Sequence, residues 1–440
     1  MNIKVSKFGG SSLADANQFR KVAQIIKSDP TRKYIIASAP GKRSSEDIKT
    51  TDMLYKCFDL AQNNESIDEE FANIEYRFTN IIEDLGIGIS LKEDLENIKG
   101  SIAHYVGRDY LISRGEYLNS KILAYYLGYD FIDAEKVIFF HEDGTFDAHT
   151  THKILASVLK NHENAVLPGF YGSMPNGTIR TFSRGGSDIT GSIVARAAGA
   201  DVYENWTDVS GLLMADPRIV KDPKVIKTIS YSELRELSYM GASVMHEDAI
   251  FPVKESGIAI SIRNTDSPDE HGTMIVPFTD VNRDNGLITG IAGKKGFSRI
   301  TVEKDMMNQE VGFGKRVLEI LERYNVSFEH LPTGIDTLSV IVNTDSILEV
   351  KDNINIDIYR AVRADNVKFD HNLAMIAIVG RDLINAKGAQ MRLFTALYNA
   401  DINVKMMDQG SSDLNLIIGV DEEDYADAVR AIYDEFISEN

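Results

Sequence analysis

The chain's 440 residues predict an α/β protein in two parts. A three-layer αβα sandwich is expected over residues 1–285, followed by two ferredoxin-like βαββαβ modules over 286–370 and 371–440. Three observations carry this. Short apolar runs alternate with long helical patterns up to about residue 290. The C-terminal region repeats itself at a constant offset. Two glycine pairs each stand between an apolar strand and a helix.

A strand over 3–8 opens the chain and runs into Lys7-Phe8-Gly9-Gly10-Ser11-Ser12. A helix over 13–28 should follow, with Phe19, Val22, Ile25 and Ile26 as its apolar stripe and Ser12 as its cap. The glycines let a ligand approach the backbone, and free N–H groups at a helix start favour an anion. Lys7 adds a full positive charge. The G-x-x-x-x-G-K-[ST] spacing of a Walker loop is absent. Further strands are expected at 34–37, 165–167, 201–206 and 258–262, with helices over 51–63, 67–84, 114–127 and 187–199 between them. In open sheets of this kind, ligands lie at the carboxyl ends of strands.

Residues 300–342 match 376–418 at an offset of 76. Ile300 aligns with Ile376, Gly312 with Gly388, Leu318 with Phe394, Val326 with Ile402, and Leu338–Val342 with Leu414–Ile418. Each copy reads βαββα, so a duplicated unit is the simplest explanation. The strand at 287–292 fits either copy, leaving open that one module is inserted in the other. A linker is expected near Pro277 to Asp284.

A formal net charge of −19 with no basic stretch excludes a nucleic-acid footprint and requires that an anionic substrate meet local positive charge. One cysteine, Cys57, on an apolar helical face, excludes an internal disulfide framework and fits a reducing compartment. No apolar run is long enough to span a membrane and no signal pattern is visible, so a cytoplasmic protein is expected.

Four ordered segments carry chemistry. Beyond the first glycine turn these are Arg114-Gly115-Glu116, then Thr181-Phe182-Ser183-Arg184-Gly185-Gly186-Ser187-Asp188, then Thr207-Asp208-Val209-Ser210-Gly211 with Asp216-Pro217-Arg218. Read alone, Glu116 serves a helix's first turn as well as it serves an ammonium ligand. Arg184 suits a carboxylate through its planar fork, or pairs with Asp188. Together the four segments resemble those of the aspartate kinases, in the amino-acid kinase family.

That resemblance implies phosphoryl transfer from ATP, with Mg²⁺, to the β-carboxylate of L-aspartate. It implies catalytic roles for Lys7 and Asp188, and an aspartate pocket of Ser38, Thr51, Glu116 and Arg184. ATP contacts would come from Lys7, Gly9, Gly10, Ser11, Thr207, Asp208, Asp216 and Arg218. The chain departs from the family at Leu213, where Tyr is frequent, and at Ser243, where Lys is frequent. The loop from Pro40 to Thr50, longer than the family pattern, carries Lys42, Arg43 and Lys49, which read as a solvated surface. His246 reads as a helix cap.

The duplicated unit resembles the ACT domain, a small-molecule sensor. It implies an effector site at Met307, Gly312, Phe313, Glu329 and Thr333, with lysine the expected inhibitor, threonine left open, and a homodimer or homotetramer formed through these modules. Two other readings compete: a glutamate or acetylglutamate kinase, and an amino-acid-binding regulator on a decayed kinase fold.

Overall fold

The computed structural model describes residues 2–103, 107–183, 185–242, 247–277, 286–381, 383, 385–409 and 413–438, without the side chains at 103, 247–249 and 438. It forms two compact units: Met1–Leu212 with Val225–Tyr231 and Val244–Asn282, and Leu213–Lys224 with Ser232–Ser243 and Arg283–Asn440. Residues 213–224 and 232–243, which lie within the expected 1–285 region, group with the C-terminal unit. The reason is burial: Ala215 and Val220 lie in the same apolar core as Ile291, Ile376 and Ile418. Most of the expected linker, 278–284, lies outside the described residues.

In the first unit the order is β1 (Lys4–Phe8), α1 (Ala16–Lys27), β2 (Arg32–Ala37), α2 (Thr50–Gln62), α3 (Asp68–Leu85), α4 (Lys92–Ala103), α5 (Arg108–Leu127), β3 (Asp130–Phe131), α6 (Ala148–Leu159) and β4 (Ala165–Pro168). Then come β5 (Tyr171–Ser173), β6 (Ile179–Thr181), α7 (Gly186–Ala198), β7 (Val202–Thr207), β8 (Thr228–Ser230), α8 (Tyr231–Tyr239, from Ser232 in the second unit), α9 (Glu247–Glu255), β9 (Ala259–Asn264) and β10 (Thr273–Val276). Among the described residues, eight strands form one sheet in the order β3-β4-β2-β1-β7-β9-β10-β8. Only β10 against β9 is antiparallel. Phe19, Val22, Ile25 and Ile26 of α1 are buried with apolar side chains of α2 to α5 on one side. On the other, α7 packs against α6 and α9 and against β1. These are the three expected layers.

The helix after the first glycine turn starts later than 13. Ser11–Leu13 form a 3₁₀ turn, and α1 is capped by Asp15, whose carboxylate accepts from the amides of Asn17 and Gln18. Ser12 is instead buried, its hydroxyl 2.7 Å from that of Thr265. An Asp at this position caps at least as well as Ser, and it stands where the first full α-helical turn begins.

The second unit continues with β11 (Gly290–Glu303), α10 (Phe313–Arg323), β12 (Phe328–His330), β13 (Thr337–Asn343), α11 (Lys351–Val362), β14 (Asn366–Val379), α12 (Ala389–Asn399), β15 (Met406–Gln409), β16 (Asn415–Asp421) and α13 (Tyr425–Tyr433). Six described strands pair antiparallel in the order β12-β13-β11-β14-β16-β15. The 76-residue offset carries α10 onto α12 end for end, and each starts after a left-handed glycine, Gly312 at φ 80° and Gly388 at φ 84°. The strand expected near 287–292 is the first part of β11. Residues 290–294 pair with 375–379 of β14, whereas 297–303 pair with 337–343 of β13. The first module is therefore inserted after the opening strand of the second, and each has its own core.

Candidate active site

β1 lies centrally, with β2 on one side and β7 on the other, the point where strand order reverses and a crevice opens at the carboxyl ends. The loops leaving these strands stay tethered: Gly9 N–H donates to Trp206 O at 3.0 Å and Ser38 N–H to Phe8 O at 3.2 Å. A cleft of about 570 Å³ opens there, lined by Gly9, Gly10, Ser11, Ser38, Thr51, Glu116, Thr207 and Asp208 among others. Eight residues expected at two ligand sites are thus gathered in one cavity of the first unit. Ser187, in the first turn of α7, also lines it.

Lys7 is 8% exposed at the penultimate position of β1. Its Nζ lies 2.6 Å from Asp188 Oδ1 and 3.4 Å from Asn205 Oδ1. Asn205 Nδ2 donates to the same carboxylate oxygen at 3.0 Å. In-register pairing of β1 with β7 sets Lys7 opposite Asn205, and α7 supplies Asp188 from its first turn. Sequence reading missed Asn205; its signal was an amide inside a strand, which burial obliges to find a partner. Arg184 lies outside the described residues, as do Ser243 and His246.

Glu116 differs from expectation. It sits in the third turn of α5, which begins at Arg108, so it caps no helix. Gly115 explains its placement: a Cβ there would meet Ala39 Cβ at 2.8 Å, so the missing side chain lets α5 press against the turn after β2. The Glu116 side chain is buried and its Oε2 has no partner among the described residues. Desolvation pushes its carboxyl up to about 8, against the opposing pull of the Glu116 and Ala39 amides and the Arg114 guanidinium. Arg114 itself stacks on Tyr110, Tyr117 and Tyr171 at 4.5–5.0 Å and is buried. Asn119, one turn along α5, donates to Ser38 O at 2.7 Å and fixes the next wall of the cavity.

Lys42, Arg43 and Lys49 are exposed, as a solvated loop predicts, and they also line the cleft. Asp216 and Arg218 pair with each other, Nη2 to Oδ2 at 2.6 Å, on a segment of the second unit; they are not among the cleft-lining residues.

In the second unit Met307 and Phe313 are buried in the first module's core, Gly312 caps α10, and Thr333 bridges to Leu338. Glu329 accepts a hydrogen bond from the Tyr239 hydroxyl. Burial, with Glu329 beside it, pushes that phenol up to about 12. The groove of about 1000 Å³ on this module is lined by residues of α10 and the chain up to Phe328, and none of the five expected effector residues lines it.

Residues 2–264 match the amino acid kinase family and 376–436 the ACT domain. Aspartokinase 3 of Bacillus subtilis is 37% identical over 453 residues, covering 99% of each chain. The structure of Clostridium acetobutylicum aspartate kinase is similar with a TM-score of 0.91 and 49% identity, over 99% of this chain and 100% of that one. Escherichia coli aspartokinase III, solved with aspartate and ADP and also with lysine and aspartate, gives TM-scores of 0.73 and 0.72 at 25% and 26% identity, over 99% of both chains. The ordered glycine turns, the gathered cleft and these full-length likenesses converge: the chain belongs to the amino acid kinase family, among its aspartokinases.

Proposed function

We propose that this aspartokinase uses MgATP to phosphorylate the β-carboxylate of L-aspartate, giving 4-phospho-L-aspartate and ADP, and that lysine restrains it through the ACT region. The observation that carries the substrate assignment is Glu116: a buried carboxylate with an oxygen unpartnered among the described residues, in the same cavity as the glycine turn. A buried acid of this kind costs least when a cation sits against it, and the α-ammonium of an amino acid is such a cation. Ser38 and Thr51 line the wall beside it, and Arg184 is assigned to the substrate carboxylate by its motif.

In the reaction a β-carboxylate oxygen attacks the γ-phosphorus, the bond to the β-phosphate oxygen breaks, and ADP departs with that electron pair. Mg²⁺ bound with the nucleotide would supply neutralisation of the phosphate charge. Lys7 meets the charge that builds on the transferring group, held in place by Asp188 and Asn205. The amides at Gly9, Gly10 and Ser11 and the start of α7 add oriented dipoles. Thr207 and Asp208 at the end of β7 take the nucleoside side; Asp216 and Arg218 are assigned to ATP by their motif alone. No covalent enzyme intermediate is required, because the substrate brings its own nucleophile.

Lysine is proposed as effector by likeness to E. coli aspartokinase III, with Glu329 receiving its side-chain ammonium in place of the Tyr239 hydroxyl. Met307, Gly312, Phe313 and Thr333 would complete that site when subunits pair through the modules as a homodimer or homotetramer. Buried Cys57 supports a reducing, cytoplasmic setting. An aspartyl-hydroxamate assay with MgATP tests the whole reading. Hydroxamate from aspartate, none from glutamate, and less when lysine is added is the expected result. Product from glutamate alone would overturn the substrate assignment, and suppression by threonine alone would overturn the effector.

A further inference from the structure

We propose that Arg77 is a positioning residue for the aspartate side of the cleft, acting through the loop between β2 and α2. The proposal rests on reading that cleft as the kinase site. α3 carries Phe71, Ile74, Phe78 and Ile81 in the core, and Arg77 interrupts the same buried face while being only 2% exposed. A guanidinium at such depth needs partners, and the loop supplies them at Nη1 and Nη2, while Nε has none among the described residues. Arg77 Nη1 lies 2.9 Å from Asp47 Oδ2, and Nη2 donates to the Gly41 carbonyl. Asp47 in turn holds Arg43 through both carboxylate oxygens at 2.9 Å and accepts from the Arg43 amide at 2.8 Å. One buried fork therefore grips the loop at both of its ends, Gly41 and Asp47.

The loop is gripped where it matters for the cavity. Gly41 N–H donates to Gly10 O at 2.8 Å, tying the loop to the glycine turn. The contact is so close that a Cβ on Gly41 would lie 2.5 Å from the Gly10 carbonyl carbon. Past this tie, Lys42, Arg43, Ser44 and Lys49 line the cleft that also holds Glu116. Lys42 and Lys49, with Arg43 paired to Asp47, are the loop's cations lining the cavity. An acid that accepts an ammonium, with cations across from it, is complementary to a zwitterion carrying extra negative charge. An acidic amino acid fits this description, and a neutral one does not. Arg77 touches no substrate; its role is to hold these cations at a fixed place before substrate arrives.

The test separates this role from simple stabilisation. Arg77→Lys keeps the charge and loses the fork, so it releases one of the two loop contacts. KM for aspartate should rise roughly tenfold while KM for ATP and kcat change by less than about twofold. Asp47→Asn reaches the same clamp from the loop side, and should give the same split even if the α3 variant folds poorly. Limited proteolysis should cut both variants faster within 42–49. Equal rises in both KM values, a rise for ATP alone, or wild-type kinetics in folded Asp47→Asn would each overturn the proposal. Aspartate-dependent ADP release by the wild-type chain is the control, since its absence would overturn the kinase reading itself.

Discussion

The fold treats two charges oppositely: Lys7, behind the glycine turn and not among the cleft-lining residues, and Glu116, which lines the cleft. Lys7, at the end of β1, is answered within the protein by Asp188 and Asn205. Glu116, on α5, is buried and left with an oxygen that no described residue answers. The difference teaches what each is for. A cation that must stabilise charge only as a reaction proceeds has to be held still beforehand, so its partners are built in. An acid that must recognise an incoming ammonium is left short of a partner, and burial raises its pKa.

The largest effect that breaks this comparison is expected at the cation. Lys7→Ala should lower kcat by roughly 10²-fold or more, with KM for aspartate little changed. Initial rates by coupled ADP detection measure this, and a near-wild-type rate would reject the catalytic role. Glu116→Gln should act on binding instead. It should raise KM for aspartate about 10–100-fold, the loss of one hydrogen bond to a charged group.

Glu116 also sharpens the comparison through pH. With its carboxyl pushed up to about 8, binding an ammonium requires a proton to leave, so KM for aspartate should fall as pH rises through 8. The sign for stability runs the other way. The folded chain holds this proton more tightly than the unfolded one, whose carboxyl titrates near 4.5, so ligand-free stability should decline between pH 4.5 and 8. Thermal melts across that range should show the slope flattened in Glu116→Gln. The smallest expected effect is Asn205→Ala. Lys7 would keep Asp188, so a two- to tenfold loss in kcat is expected, about the worth of one buried hydrogen bond. A loss as large as that of Lys7→Ala would mean that the amide, and not the carboxylate, holds the ammonium in place.

The two glycine turns, the strand–helix alternation and the 76-residue repeat were all legible, because each is a local pattern written within one element or at one constant spacing. The stripe of α1 is an example: Phe19, Val22, Ile25 and Ile26 are all buried as their spacing demands. Where α5 begins was less legible. Arg114-Gly115-Glu116 looked like a helix start, yet α5 is buried on nearly every side and extends back to Arg108. Depth in the fold, which no single window of sequence reports, makes Glu116 an acid in the middle of a buried helix.

The chain alone therefore determined which segments form strands and helices, which motifs end in glycine, and which family they resemble. Only the tertiary structure decided how distant segments share one cavity. Lys7 meets Asn205 because β1 and β7 pair in register across 198 residues, and Arg77 reaches Asp47 because α3 folds back over the loop. Backbone preferences and apolar periodicity act over a few residues, whereas desolvation and ion pairing depend on what the finished fold brings alongside.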